Sequence, residues 1–119
     1  MPGGRTGRAS NYAYGRSMEK SVARTLMQVT SATSYRRTPG SRGPADFNMT
    51  KEGEKKYSVQ VKASRASSKS TNTISPGEKQ ELIKYSKEMG TVPLIAHAKG
   101  SQKVITYAES GKILYKSSS

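Results

Sequence analysis

Apolar side chains recur every four residues at Tyr14, Met18, Val22 and Leu26, with Val29 after them. That spacing predicts one face of a helix over residues 11–31, with Asn11 as its N-cap. Residues 1–10 are rich in Gly and Arg and are expected to form a flexible basic arm. Residues 33–37 are rich in β-formers and run into the turn Pro39-Gly40-Ser41-Arg42-Gly43-Pro44. Residues 45–50 read as a strand and Lys51-Glu52-Gly53-Glu54 as the turn after it. From Tyr57 the chain alternates: Tyr57, Val59, Val61 and Ala63 face one way, Ser58, Gln60, Lys62 and Ser64 the other. Residues 65–73 read as an exposed loop.

A second helix is announced by a capping box, Ser75-Pro76-Gly77-Glu78, with Ser75 as N-cap, Pro76 at N1 and Glu78 at N3. Leu82, Tyr85 and Met89 continue its apolar face and Gly90 stops it. Residues 92–98 and 104–107 read as strands joined at Lys99-Gly100-Ser101. Gly111 precedes a short apolar piece, Ile113-Leu114-Tyr115, and residues 116–119 are expected to be a disordered tail. The predicted order is α-β-β-β-α-β-β in one domain over residues 11–115. It implies an α/β fold, a central mixed β-sheet flanked by helices.

Composition bounds this picture. Only sixteen of the 119 residues are Leu, Ile, Val or Phe, so the core is small and a partner subunit or nucleic acid is expected to add stability. The absence of cysteine excludes disulfides, thiolate metal sites and cysteine nucleophiles. No apolar run reaches the roughly 18 residues of a membrane span, and the first ten residues lack the apolar segment of a secretory signal. A cytoplasmic protein without membrane association is the expectation.

Charge points to a partner. The chain holds 21 Lys+Arg against 8 Asp+Glu, a formal net charge of +13. Acidic substrates, anionic membranes and nucleic acids would all be attracted. No segment combines basic residues with a bulky apolar helical face, which disfavours the membrane. All the arginines lie between Arg5 and Arg65, and arginine suits bidentate phosphate contact, which favours nucleic acid. Arg5, Arg8, Arg36, Arg37, Arg42 and Arg65 are the expected backbone contacts.

Carboxylates are scarce, and Asp46 is the single aspartate. If its strand pairs antiparallel with the next, Asp46 approaches the strand end that carries Gln60 and Lys62. A hard divalent cation needs oxygen ligands, available there from the Asp46 carboxylate, the Gln60 amide and the Val61 backbone carbonyl. Lys62 would add a fixed positive charge for a developing phosphorane-like anion. Glu19, one residue after Met18 on the first helix, is a further candidate carboxylate.

These residues carry a resemblance. Gly15-x-x-x-Glu19, Arg37-x-x-Gly40-Ser41, Pro44-Ala45-Asp46-Phe47 and Val59-Gln60-Val61-Lys62-Ala63-Ser64-Arg65 resemble the PD-(D/E)xK nuclease core, and more narrowly the archaeal Holliday junction resolvase family. The likeness continues in the same order through Ile74-Ser75-Pro76-Gly77-Glu78, Lys87-Glu88-Met89-Gly90 and Pro93-Leu94-Ile95-Ala96-His97-Ala98-Lys99. It implies a restriction-endonuclease-like fold and a homodimeric endonuclease, dependent on Mg²⁺ with Mn²⁺ as a substitute, that cuts four-way DNA junctions. By position, Glu19, Asp46 and Lys62 match its acidic and lysine catalytic positions. Ser41 matches a loop serine of that family, and Arg37 a basic residue beside it. Gln60 stands where the family usually has Glu, which removes a negative charge from the metal site. The loop between Arg37 and Asp46 looks compact. A restriction-like nuclease on duplex DNA and a non-catalytic basic DNA-binding relative are the alternatives.

Each residue also has an ordinary role to weigh. Glu19 could pair with Arg16 or Lys20 along its helix, Asp46 could cap the turn after Pro44, and Lys62 could simply contact phosphate. Ser41 suits a Gly/Pro turn, and His97 lies in an apolar run as a structural residue would. Tyr12, Tyr14 and Tyr35 sit among arginines and could stack on bases, with Tyr14 better placed for the helix core.

Overall fold

The computed structural model of the chain describes residues 6–38, 43–65 and 73–117, with residues 6–12 described by their backbone alone. Helix α1 spans Thr6–Val29. It is followed by strands β1 (Ser34–Arg37), β2 (Phe47–Lys51) and β3 (Glu54–Ser64), helix α2 (Pro76–Met89), and strands β4 (Val92–Lys99), β5 (Gln102–Tyr107) and β6 (Ile113–Lys116). Among the described residues the strands form one sheet in the order β1-β2-β3-β4-β5-β6. Only β3 and β4 run parallel, joined through α2, and every other neighbouring pair is antiparallel. This is the expected α/β fold, a central mixed sheet flanked by two helices. Among the described residues no helix is long and apolar enough to cross a membrane.

The alternation of β3 sorts the two layers. Val59 joins Val22 and Leu26 of α1, Phe47 and Met49 of β2, Leu94 and Ala96 of β4, and Ile105 in the larger apolar cluster. On the opposite face Leu82 of α2 packs with Ala45, Ile95 and Ala108. A buried polar network lies under α2. Ser58 Oγ donates to Asn48 Oδ1 at 2.6 Å and shares a hydrogen bond with Thr91 Oγ1 at 2.6 Å, and Asn48 Nδ2 donates to the Tyr85 hydroxyl at 3.2 Å.

Several boundaries depart from the sequence reading. Helix α1 starts at Thr6, ahead of the expected cap at Asn11, because an established helix gains one hydrogen bond per added residue without needing an apolar signal. It stops before residue 31, where Thr30 Oγ1 turns back to donate to Leu26 O at 2.6 Å. Strand β3 begins at Glu54 because the β2–β3 turn is as short as a hairpin allows, with Lys51 paired to Glu54. Both central residues, Glu52 (φ 53) and Gly53 (φ 82), take positive φ, the type I′ pattern whose twist matches the flanking strands. The apolar piece after Gly111 is a strand of its own, so the order is α-β-β-β-α-β-β-β. Gly111, at φ 77, lets the chain reverse, and Tyr107 N–H donates to Lys112 O at 2.9 Å to start the β5–β6 pairing. That pairing reaches Ser117, whose N–H donates to Lys103 O at 2.9 Å. The expected cap of α2 is present in full, with Pro76 at N1 and Gly90 in the left-handed conformation at the C-terminal end.

Candidate active site

Asp46 sits at the end of β2, where that strand runs out beside the C-terminal half of β3. Its N–H donates to Val59 O at 2.8 Å and its carbonyl accepts from Thr38 N–H at 3.0 Å, which fixes its backbone between β3 and the end of β1. Its Oδ2 accepts from Val61 N–H at 2.7 Å. The carboxylate thus takes the ladder position that β2 no longer fills. Because the N–H and C=O of one residue leave a strand on the same side, the Val61 carbonyl faces this side of β3 too.

An ion pair flanks Asp46 on each face of the sheet. On the α1 face, Arg37 Nε donates to Glu19 Oε1 at 3.0 Å, joining the end of β1 to the middle of α1. On the α2 face, Lys62 Nζ donates to Glu78 Oε2 at 2.8 Å. Burial pushes the Asp46 carboxyl above the usual carboxylate range. The Val61 N–H pulls it down, the Glu19 charge pushes it up, and Lys62 and Arg37 lower it. Glu19, Arg37 and Lys62 thus each act on Asp46 electrostatically. Glu78 is shifted the other way, to about 2, mainly by its hydrogen bond from Lys62 and next by the Ser75 N–H.

Gln60 shares the α2 face with Lys62. With Gly43, Pro44, Glu78 and Glu81 it lines a cavity of about 270 Å³, and its Oε1 is buried without a hydrogen-bond partner among the described residues. A buried amide oxygen with no donor is costly unless a donor or cation reaches it. Oxygens of the hard kind that Mg²⁺ or Mn²⁺ takes are present at Asp46 and the Val61 carbonyl at the sheet edge, at Gln60 on the α2 face and at Glu19 on the α1 face. Among the described residues no three His, Cys, Asp or Glu side chains group as a metal cage. A cation here would depend on the amide and carbonyl oxygens as well.

The remaining expected residues are dispersed. Arg36 is exposed on β1, paired across the strand with Asn48. Arg65 is exposed just past β3, its guanidinium carbon 4.4 Å from the centre of the Tyr14 ring. The Tyr14 hydroxyl donates to Ser64 O at 2.9 Å, so Tyr14 tethers α1 to the end of β3. Tyr35 meets Phe47 edge to face at 5.6 Å. Arg5, Ser41 and Arg42, with the side chains of Arg8 and Tyr12, lie outside the described residues, as do residues 66–72. His97 is half-buried and paired in register with Lys62; burial and then the Lys62 charge lower its pKa, and its Nε2 has no partner among the described residues.

Two features were not read from the sequence. Glu78 was assigned to the helix cap alone, although Lys62 and an N3 carboxylate on the facing helix were both visible. A groove of about 360 Å³ on α1 is lined by Ala13, Arg16, Ser17 and Lys20, two of them basic. The i, i+4 spacing of Arg16 and Lys20 was its available signal.

No protein-family model matches the chain, and no curated protein matches it.

Proposed function

We propose that this chain is a metal-dependent DNA endonuclease of the PD-(D/E)xK type, similar to the archaeal Holliday junction resolvases. In this reading it acts in the cytoplasm as a homodimer that cuts four-way junctions by paired, symmetric phosphodiester hydrolysis. The observation that carries the reading is Asp46, a partly buried carboxylate seated on Val61 N–H at a strand end, within the fields of Glu19 and Lys62 and one residue in β3 from Gln60, whose buried oxygen has no partner among the described residues.

Asp46, Glu19, the Gln60 amide oxygen and the Val61 carbonyl would hold Mg²⁺ or Mn²⁺. When bound, the ion supplies a Lewis acid for the scissile phosphate and its attacking water. Asp46 fixes the position of that centre through its three hydrogen bonds to neighbouring strands. Lys62 offers a fixed positive charge to the anion that builds on the phosphate during attack. Arg36 and Arg65, with Arg5, Arg8 and Arg42, track the phosphate backbones, while Arg37 holds Glu19 toward the site. A two-fold dimer presents two such sites, as two symmetric nicks require.

An end-labelled four-way junction and its linear duplex arms, each with Mg²⁺ and with EDTA, test the proposal alongside Asp46→Ala. Paired nicks in the junction alone, requiring both metal and Asp46, support it. Equal cutting of the duplex arms would make the chain a restriction-like nuclease. One observation favours binding without cleavage: Glu19 and Lys62 are each engaged in an ion pair, and no three-acid cage is present among the described residues. Tight junction binding with no cut in any lane would establish that reading.

A further inference from the structure

The pairing of Lys62 with Glu78 is more constrained than a surface ion pair. The Lys62 side chain is 15% exposed, and its Nζ lies 2.8 Å from Glu78 Oε2. The other oxygen of the same carboxylate, Oε1, accepts from Ser75 N–H at 3.0 Å, while Glu78 N–H donates to Ser75 Oγ at 3.2 Å. Each carboxylate oxygen has its own task, so the group cannot rotate without giving up one of them. Pro76 fixes the first turn of α2, and Leu82, one turn beyond Glu78, is fully buried against the sheet. A rigid path therefore runs from the sheet through α2 to a carboxylate and from there to a lysine ammonium, which on its own stem has many rotamers. A helix cap needs only one of those oxygens, and a glutamine at N3 would serve it equally. The second oxygen is spent on Lys62.

We infer that Glu78 is a positioning residue for Lys62, holding its ammonium on the α2 face at the end of β3 through an ion pair anchored in the cap of α2. The inference rests on the nuclease reading and adds a residue to it. Glu78 remains anionic throughout the range in which DNA stays duplex, because its carboxyl is held near 2.

Glu78→Gln and Ser75→Ala separate this role from a structural one in the full-length protein. Glu78→Gln keeps an acceptor for Ser75 N–H and turns an amide toward Lys62. Ser75→Ala removes the cap from Glu78 N–H and leaves the carboxylate. Three readouts are taken well below both melting temperatures: single-turnover cleavage of a four-way junction with Mg²⁺, junction Kd in EDTA, and the rate of Lys62 acylation by an amine-reactive ester, followed by mass spectrometry. Glu78→Gln is expected to slow cleavage about 10- to 100-fold, the cost of a misplaced catalytic group, with Kd within about twofold. Lys62 should be acylated at least about fivefold faster in that variant, since its partner is gone. Ser75→Ala should cleave and acylate within about twofold of the parent although its Tm falls. Parent-like cleavage or acylation by Glu78→Gln, faster cleavage by it, or an equal loss of rate in Ser75→Ala would overturn the inference while the nuclease reading stands. A parent chain that cuts no junction would overturn both.

Discussion

At Asp46 the fold accepts a carboxylate while disfavouring its charge. Burial and the nearby Glu19 outweigh the help of Val61 N–H, Lys62 and Arg37, so the native state holds the Asp46 proton more tightly than the unfolded chain does. Stability contributed by this group therefore declines as pH rises above 3.8, the sign expected for a raised carboxyl. Asp46→Asn keeps an oxygen for Val61 N–H and carries no charge. It should abolish cleavage, by at least about 100-fold, yet unfold at pH 7 no lower than the parent. Melting both proteins from pH 3 to pH 7 checks this, and the gap should close toward the acid end. Glu78 behaves oppositely. Its stabilising contribution is complete above 4.5 and is lost as pH falls through about 2, so the Tm difference between the parent and Glu78→Gln should disappear at the acid limit. The sequence reading brought Asp46, Gln60 and Lys62 together because strand alternation and one antiparallel pairing suffice for that. It could not bring Arg37 to Glu19 or Glu78 to Lys62. Each of those contacts joins a strand to a helix across a span whose geometry depends on how the layers dock.

Of the two helices, α2 buries the less apolar surface. Leu82 is its one fully buried apolar side chain, accompanied by buried Ser86 and half-buried Ile83 and Tyr85. Leu82→Ala should cost about 2–5 kcal/mol in denaturant unfolding, and Ser75→Ala about 1 kcal/mol. The β2–β3 turn can be improved. Glu52 adopts φ 53, a conformation in which Asn is more at ease, so Glu52→Asn should raise stability by about 0.5 kcal/mol without touching the site. Elements with a strong local signal were legible. The cap at Ser75 marked α2, and alternation marked β3. Two others carried too little signal. The first turns of α1 have no apolar periodicity, and β6 is four residues long and becomes a strand only through its partner β5.

Across the whole molecule the dominant property is charge. On the proposed reading, a net +13 on 119 residues would make DNA affinity strongly dependent on salt. If the five arginines assigned to the phosphate backbones above each neutralise one phosphate, log Kd should rise with log salt with a slope of about 4.5, measurable by titrating a labelled junction from low to physiological salt. A slope near 1 would show that the basic surface is not the binding surface. Net charge was fully legible in the sequence. Its distribution in space was not, because Arg37 comes to Glu19, and Lys62 to Glu78, only once the helices are laid on the sheet.

Strand β1 is short and lies at the edge of the sheet, hydrogen-bonded on one side only, yet it delivers Arg37 to Glu19 and its end holds the carbonyl of Asp46. Edges of this kind open in local fluctuations that leave the rest of the fold in place. When β1 detaches, the Glu19 charge loses its partner and Asp46 loses a tether, while α1, β3, β4 and β5 stay packed. The working state should then have its own, lower free energy of opening than the fold as a whole. Backbone amides of β1 should exchange with solvent well before those of Val59 and Leu94, and heating should silence the protein several degrees before it melts.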